Sequence, residues 1–526
     1  MSQMLKSSGS MGAATLLSRV LGMVREMVYA HFLGTKWVAS AFFLAFTIPN
    51  LFRRLLGEGA LTAAFIPLFK EKEKKEGDRE MWRAANAVIS GLVVAASILI
   101  GLTLLGISIT LAVGTFTAKT RLMLELLRVM FPYLLLVCLA ATFMGMLNAR
   151  GHFFIPAMGA TMLNLAMIAS VLFLAPHMGS TPQTQIFGLA IGVLVAGVAQ
   201  AGFQLPTLRR EGYRFEWIAP WKNETVRQVV QKMLPGTIGV AAFQINVALT
   251  YGFAFWYGHS IVASFNYAVR LMELPQGVCG ISLATYLLPT LTGLATEKKF
   301  PEFRATLKQG VSYLIFINLL ASVLLLVLAE PIVRLLFERG EFDAASTYGV
   351  AWTVATMAPG LIAFSLVNIL ARAFYALGDI QTPMRISVAC LALNLVFALW
   401  AIVPFHEAGL GAANTMSALF NVWLLLHALR VKMPQLVLQS LFERMLPMLG
   451  AAAGAAALAW TLSWFWERNI GHEHLPQRIG AVFVPAISAS LLYVATLLWL
   501  KIGSAWEIFN LVSAKLHRSA PTDAEE

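Results

Sequence analysis

Arginine side chains stand inside the apolar segments of this sequence, where a charge is most costly. Residues 47–60 read TIPNLFRRLLGEGA, so Arg53, Arg54 and Glu58 lie between two long apolar runs. A charge at the centre of a bilayer costs about 2.5–3.5 kcal/mol on insertion scales. These side chains therefore need a partner, water or a bound ion of opposite charge.

Two further apolar segments carry charges: Arg19, Arg25 and Glu26 in the first segment, and Arg270 and Glu273 in a later one. Arg19 and Glu26 are expected on one helix face, about 10 Å apart. Arg54 lies four residues before Glu58 and can pair with it directly. The pair in the later segment, three residues apart, can do the same. Each acid taken singly can therefore simply neutralise a local arginine.

Local pairing cannot neutralise the whole set, because five arginines face three acids. A guanidinium group stays charged at any relevant pH and matches phosphate oxygens with a planar fork of donors. An excess of arginine within a membrane cavity therefore indicates an anionic ligand that carries phosphate or several carboxylates.

The elements that must position these charges are membrane-spanning helices. The 526 residues are 58% hydrophobic and 13% charged, with a mean hydropathy of +0.72. Apolar stretches of roughly 20 residues recur, the length that crosses ~30 Å of hydrocarbon. We predict an all-α polytopic membrane protein with about fourteen segments, near 8–33, 36–69, 83–114, 121–148, 154–175, 185–206, 228–257, 261–292, 307–336, 347–377, 383–404, 408–430, 443–466 and 480–501.

The lysine and arginine residues orient the segments. They cluster in the loops after segments 2, 6, 8 and 12, whereas the loops after segments 5, 7 and 11 contain none. Positive loops stay in the cytoplasm, so both termini are predicted there. The net charge of +12 follows largely from this bias, and nucleic acid is not an expected partner.

A weak repeat divides the chain. NARGHFFIP (148–156) and YALGDIQTP (375–383) share Ala-x-Gly-x4-Pro at an offset of 227 residues. An offset of six segments preserves orientation, as parallel repeats require. We predict a lobe of helices 1–6 (1–206), an amphipathic cytoplasmic linker (207–232), a lobe of helices 7–12 (233–431), and helices 13–14 with a cytoplasmic tail (432–526).

Segment 2 is too long for one straight span. Residues 36–69 would extend about 50 Å as a single helix. Pro49, Gly57 and Gly59 interrupt it beside the two arginines. A bend there can expose the arginines to water, acting either as a simple packing kink or as a hinge beside a site.

Several stretches together resemble the MurJ (MviN) family, bacterial flippases for the peptidoglycan precursor lipid II. They are SRVLGMVRE (18–26), AFFLAFTIPNLFRRLLGEGALTAAFIP (41–67), RLMELPQGV (270–278), LFERGEF (336–342) and GDIQTP (378–383). The resemblance implies a transporter of the multidrug/oligosaccharidyl-lipid/polysaccharide exporter superfamily, with a central cationic cavity that alternates between the two membrane faces.

The resemblance also implies a site and its surroundings. The family's substrate-binding residues correspond to Arg19, Arg25, Arg53, Arg54, Glu58 and Arg270, supported here by Glu26, Glu273, Pro49, Gly57 and Gly59. The expected partners are lipid II and membrane lipids, the expected location is the bacterial inner membrane, and the protein is expected to be a monomer without cofactor or metal. Segments 13 and 14 would form a groove for the polyprenyl tail, although GAAAG (450–454) is explained equally well by close helix packing.

Other functions are less compatible with the sequence. An exporter of another polyprenyl-diphosphate-linked oligosaccharide would look similar. A multidrug antiporter of the same superfamily should present buried acids, and a non-transporting scaffold would gain nothing from costly buried arginines. A membrane enzyme would need metal-binding or paired acids; ERGEFD (338–343) is the nearest stretch and reads better as a solvated loop. No phosphate-loop motif for ATP is present.

The sequence departs from the family at the acids. Ser40 and Val269 replace residues that are often aspartate, and segments 7 and 11, which hold a sodium site in some members, contain no Asp or Glu. Asn246 and Asn394 are polar but neutral.

We therefore expect transport without a specific sodium site on segments 7 and 11, because neutral oxygens offset little of the cost of dehydrating a cation. Replacing sodium by choline in proteoliposomes at fixed membrane potential should leave lipid II movement unchanged. A large loss of activity that sodium restores and potassium does not would contradict this expectation.

Overall fold

The computed structural model describes residues 2–54, 60–277, 282–434, 439–503 and 505–507, together with residue 510. The regular elements in these ranges are helical. The α-helices are α1 Ser2–Leu33, α2 Trp37–Phe52, α3 Ala60–Glu76, α4 Asp78–Val113, α5 Ala118–Met130, α6 Tyr133–Ala149, α7 Phe154–Ala169, α8 Pro182–Gly202, α9 Leu205–Arg210, α10 Glu224–Tyr257, α11 Ile261–Pro275, α12 Ser282–Thr296, α13 Phe300–Val327, α14 Ala329–Phe337, α15 Ala344–Met357, α16 Gly360–Ala376, α17 Gln381–Phe405, α18 Glu407–Lys432, α19 Gln439–Asn469 and α20 Leu475–Trp499.

The helices confirm the predicted polytopic membrane class. Among the described residues, eight helical stretches are long and apolar enough to cross a membrane, and two bent helix pairs raise the number to ten if each pair is one span. Fourteen spans stay a prediction. The four predicted segments that are not among the ten lie near 8–33, 36–69, 228–257 and 261–292. Three of these four carry the arginines singled out in the sequence.

The two bent pairs repeat each other. Helices α5 and α6 meet at 44°, and α15 and α16 meet at 43°. Their boundaries Met130 and Met357, Tyr133 and Gly360, and Ala149 and Ala376 are each 227 residues apart. A proline precedes the second helix of both pairs, Pro132 and Pro359. The offset of the short sequence motif is therefore also the offset of the helix boundaries.

The turn that follows each bent pair has the same backbone geometry. Gly151 and Gly378 adopt positive φ angles of 87° and 77°. The His152 amide donates to Leu147 O at 2.9 Å, and the Asp379 amide donates to Phe374 O at 2.9 Å. This hydrogen bond to a carbonyl of the last helical turn is the usual way to end a helix at a left-handed glycine.

Ion pairs fix both turns. In the first turn, Arg150 contacts Glu73 and Glu211. In the second, Lys432 lies 2.6 Å from Asp379, and this contact, with a hydrogen bond from the Thr382 amide, lowers the pKa of Asp379 to about 2. A lowered carboxyl pKa adds stability above the unfolded pKa of about 3.9, and this contribution is lost as pH falls toward the folded value.

The chain packs as two compact units. The first contains Met1–Ala263 with Arg339–Asp343, and the second contains Ser264–Glu338 with Ala344–Glu526. Helix α10 packs against α2, α3 and α4 of the first unit, whereas the sequence assigned residues 233–431 to a second lobe. The packing boundary therefore falls one helix later than the repeat boundary.

The connection before α10 lies within the predicted linker (207–232), whose place along the cytoplasmic surface stays a prediction. Residues 213–219 form no regular element and lie beside α4, where Asn86 Nδ2 donates to Arg214 O at 2.8 Å and the Ile218 amide donates to Ser90 Oγ at 3.2 Å. The amphipathic residues from 226 onward form the first turns of α10, which continues without a break to Tyr257.

In the first unit, residues 339–343 close the corner between α1 and α2. The Glu341 amide donates to His31 O at 2.9 Å, and Lys36 pairs with the Glu341 carboxylate. Gly34 has φ 59°, and a Cβ there would lie 2.3 Å from Glu341 O. Only glycine permits this close approach of two backbone segments.

In the second unit, the last two spans pack against α13. Buried Ala451, Ala455 and Tyr493 belong to one hydrophobic core with residues of α13 and α16, and the Tyr493 hydroxyl donates to Phe316 O at 3.0 Å. At one end of α19 and α20, Arg334 of α14 contacts Glu467, and Arg478 contacts Glu338.

We expect Gly378→Ala to lower the midpoint of thermal unfolding in detergent, because alanine at φ 77° costs about 1–2 kcal/mol although nothing lies within 4 Å of the new Cβ. Gly101→Ala in α4 is the matched control, since its Cβ also meets nothing within 4 Å and its backbone is helical. That variant should be neutral or stabilising by up to about 1 kcal/mol. Equal destabilisation of both variants would contradict the argument.

Candidate functional site

Arg25 and Glu26 form a buried ion pair on α1. The two residues are only 6% and 1% exposed, and Arg25 Nη2 lies 2.5 Å from Glu26 Oε1. The guanidinium carbon of Arg25 also lies 5.4 Å from the centre of the Tyr29 ring, one turn further along the helix. Pairing and a cation–π contact together offset part of the cost of removing the guanidinium from water.

A second helix completes this cluster. Arg25 Nη1 donates to Asn164 Oδ1 of α7 at 3.1 Å, and Asn164 Nδ2 donates to Ser18 O of α1 at 3.0 Å. Arg25 Nε is buried and has no hydrogen-bond partner among the described residues. The Arg25 head group is thus engaged by protein groups in this conformation rather than presented to water.

The other predicted site arginines of the first unit, Arg19, Arg53 and Arg54, are more accessible than Arg25. Arg19 on α1 is half-buried, as is Arg53, which follows the end of α2 and donates from Nε to Asn50 Oδ1 at 2.8 Å. Arg54 is exposed. Pro49 lies inside α2 near its end and is buried.

The rest of the predicted break in segment 2 lies outside the described residues. This applies to Glu58, Gly57 and Gly59, so the expected Arg54–Glu58 pair is not part of the described structure. Helix α2 reaches Phe52 and α3 begins at Ala60, on either side of this stretch.

Arg270 lies on α11 in the second unit and pairs locally. Its Nη1 donates to Glu273 Oε2 at 2.8 Å, and the side chains are 38% and 48% exposed. A pair this exposed contributes little stability, typically about 0–1 kcal/mol. Arg270 therefore keeps an accessible guanidinium while its charge is partly balanced.

Ser40 has a structural role at the α2–α11 contact. The side chain is buried in α2, and its Oγ accepts a hydrogen bond from the Ala263 amide at 3.3 Å. A neutral hydroxyl can accept this bond without adding a buried charge.

The acidic stretch 338–343 is occupied by ion pairs. Glu341 pairs with Lys36, and Glu338 accepts hydrogen bonds from Thr347 and Arg478. Within the described part of the chain, no group of three or more His, Cys, Asp or Glu side chains could hold a metal ion.

Sequence reasoning missed Asn164 and Tyr29 as partners of Arg25. Asn164 is a polar residue within the apolar run of segment 5, and that contrast was the available signal. Tyr29 follows Arg25 by four residues, a spacing that places both on one helix face.

Comparison with known proteins identifies similar chains and folds. The family described as "Lipid II flippase MurJ" matches residues 29–479. The probable lipid II flippase MurJ of Haemophilus influenzae is 34% identical over 434 residues, which cover 79% of this chain and 84% of that relative.

Two solved structures have the same fold. A lipid II flippase MurJ in an inward closed conformation has a TM-score of 0.73 at 18% identity, over 93% of this chain and 99% of that one. An inward-facing multidrug resistance MATE family transporter has a TM-score of 0.63 at 15% identity, over 79% of this chain and 95% of that one.

Glu26 is buried and Glu273 is exposed, and this difference should appear in the stability of variants that lack each carboxylate. We expect Glu26→Ala to reduce the free energy of unfolding by about 3–5 kcal/mol, because it leaves the Arg25 charge buried without its carboxylate. Glu273→Ala removes an exposed partner and should cost about 0–1 kcal/mol. Thermal unfolding of both purified variants measures the contrast; similar losses for the two would show that the Arg25–Glu26 pair is not effectively desolvated.

Proposed function

Because the chain belongs to the MurJ family of lipid II flippases, we propose that it moves lipid II from the cytoplasmic to the periplasmic leaflet of the bacterial inner membrane by alternating access. The observation that carries this proposal is the excess of arginine on helices embedded in apolar sequence. Lipid II carries a diphosphate, and guanidinium groups match phosphate oxygens in charge and geometry.

In this proposal the accessible arginines make the first contact with the diphosphate. Arg19, Arg53, Arg54 and Arg270 are half-buried or exposed, so a ligand can reach them. Glu58 would moderate the local charge beside Arg54. Together these residues would give a positive charge to the transport path, which would open alternately to the two faces, with both chain termini in the cytoplasm.

Arg25 would enter binding in a different way. Its guanidinium is held by Glu26 in this conformation, and a phosphate could replace that carboxylate because both present paired oxygen acceptors. Pro49, with the break that the sequence predicts at Gly57 and Gly59, would act as a hinge beside the site. Glu273 would partly balance the charge of Arg270, as Glu58 would for Arg54.

The last two helices would hold the polyprenyl tail. On α19, Ala451 and Ala455 face the protein core, whereas Gly450 and Gly454 are exposed, and a Cβ at either glycine would meet nothing within 4 Å. A smooth, small-residue surface lets an isoprenoid chain approach closely. The protein would act as a monomeric transporter among membrane lipids, without an enzymatic step or cofactor.

A multidrug antiporter is the competing function, since a MATE transporter shares the fold. A cation exporter requires acids to attract its substrate. The positively charged arginine set favours an anionic substrate instead, including any other polyprenyl-diphosphate-linked oligosaccharide. Transport assays with lipid II and with a cationic dye separate the two functions.

We expect Arg270→Ala and Arg53→Ala to abolish or strongly reduce lipid II movement in proteoliposomes. Loss of a charge-assisted contact costs about 1.5–3 kcal/mol, equivalent to roughly 10- to 150-fold weaker apparent affinity. The lysine variants keep the charge but lose the fork, and should retain partial activity.

Arg209→Ala is the control, because Arg209 is an exposed arginine on the short helix α9. It should transport normally at equal protein levels. Wild-type rates for Arg270→Ala would show that diphosphate binding does not depend on that residue.

A further inference from the structure

We propose that Asn164 is a positioning residue for substrate binding, which orients the Arg25 guanidinium from a second helix. This inference rests on the proposed function, since it assigns a role within the same diphosphate site. Neither the sequence motifs nor the family comparison singled out Asn164, and its role is inferred from contacts within the first unit.

Asn164 uses both ends of its amide on α1. Its Oδ1 accepts from Arg25 Nη1 at 3.1 Å, and its Nδ2 donates to Ser18 O at 3.0 Å. Ser18 and Arg25 are seven residues apart, about two turns, and therefore lie on the same helix face. One side chain thus fixes the guanidinium and the backbone that carries it with respect to α7.

The Glu26 contact alone cannot provide this orientation. Adjacent residues on a helix do not face each other. Glu26 also belongs to α1 itself, so its contact cannot fix the direction of the Arg25 guanidinium relative to any other helix. Glu26 balances the charge of Arg25, and Asn164 determines the direction of its donors. A displacement of about 1 Å can reduce the rate of a step that depends on alignment about 100-fold.

A purely structural role for Asn164 makes a different prediction. Asn164 is only 5% exposed, and a leucine has a similar size and avoids the cost of burying an amide. If Asn164 served packing alone, Asn164→Leu would preserve transport. If it orients Arg25, the same variant folds but binds lipid II poorly, and the loss depends on Arg25.

The test is the apparent KM and the maximal rate of lipid II movement in proteoliposomes for Asn164→Leu, alone and combined with Arg25→Lys or Arg53→Lys. We expect Asn164→Leu to raise the apparent KM about tenfold, the effect of losing one hydrogen bond to a charged group. In the Arg25→Lys background the further increase should be under about twofold. In the Arg53→Lys background the full factor should remain.

Two additional variants keep the test decisive. Asn164→Gln retains the amide but displaces it by one methylene, and should raise the apparent KM with the same dependence on Arg25 even if the leucine variant folds poorly. Thr161→Val is the matched control, because Thr161 is buried on the same helix and its hydroxyl has no hydrogen-bond partner among the described residues. It should leave the apparent KM unchanged.

The possible outcomes separate the two proposals. Two results would overturn the positioning role while lipid II transport by the wild type still stands. One is an Asn164 effect that is as large in the Arg25→Lys background as in the Arg53→Lys background. The other is a normal apparent KM for both Asn164→Leu and Asn164→Gln. Wild-type protein that is folded but moves no lipid II would overturn the proposed function and the positioning role with it.

Discussion

The burial of one positive charge governs the arrangement around α1. A guanidinium as inaccessible as that of Arg25 is tolerated only if nearby groups replace its lost hydration. Here the replacement comes from Glu26, from the Tyr29 ring and from the amide of Asn164. The first two partners belong to α1, whereas the third belongs to α7. The need to solvate this charge therefore fixes the rotation and register of α1 on α7. Apolar contacts alone would not fix them.

The membrane class and the internal repeat were predictable because both depend on local sequence. Apolar runs of sufficient length predict spans, and the Ala-x-Gly-x4-Pro motif marks a turn whose glycine needs a positive φ angle, as Gly151 and Gly378 have. The recurring bend before each turn follows from prolines at equivalent positions, Pro132 and Pro359. The spans and the repeat need no knowledge of distant contacts, so apolar runs and a short motif were enough to find them, whereas the two bends were seen only in the structure.

The remaining features depend on contacts between distant parts of the chain. Spacing placed Glu26 and Arg19 on one face, but it could not show that Arg25 turns inward and binds Asn164, 139 residues away. Sequence also assigned α10 to the second repeat by its order in the chain, yet this helix packs against α2, α3 and α4. The order of the helices in the chain follows the repeat, whereas the neighbours of each helix depend on which helix surfaces are complementary. The chemical types of the site residues were thus predictable, but their burial and partners were not.

The closure of the α1–α2 corner by residues 339–343 has a consequence for biosynthesis. A ribosome delivers the chain from its N-terminus, so α1 and α2 enter the membrane long before Glu341 exists. During that interval His31 O lacks the hydrogen bond that it accepts from the Glu341 amide in the finished protein, and Lys36 lacks the Glu341 carboxylate. The first unit can therefore reach its final form only after about two thirds of the polypeptide has been translated.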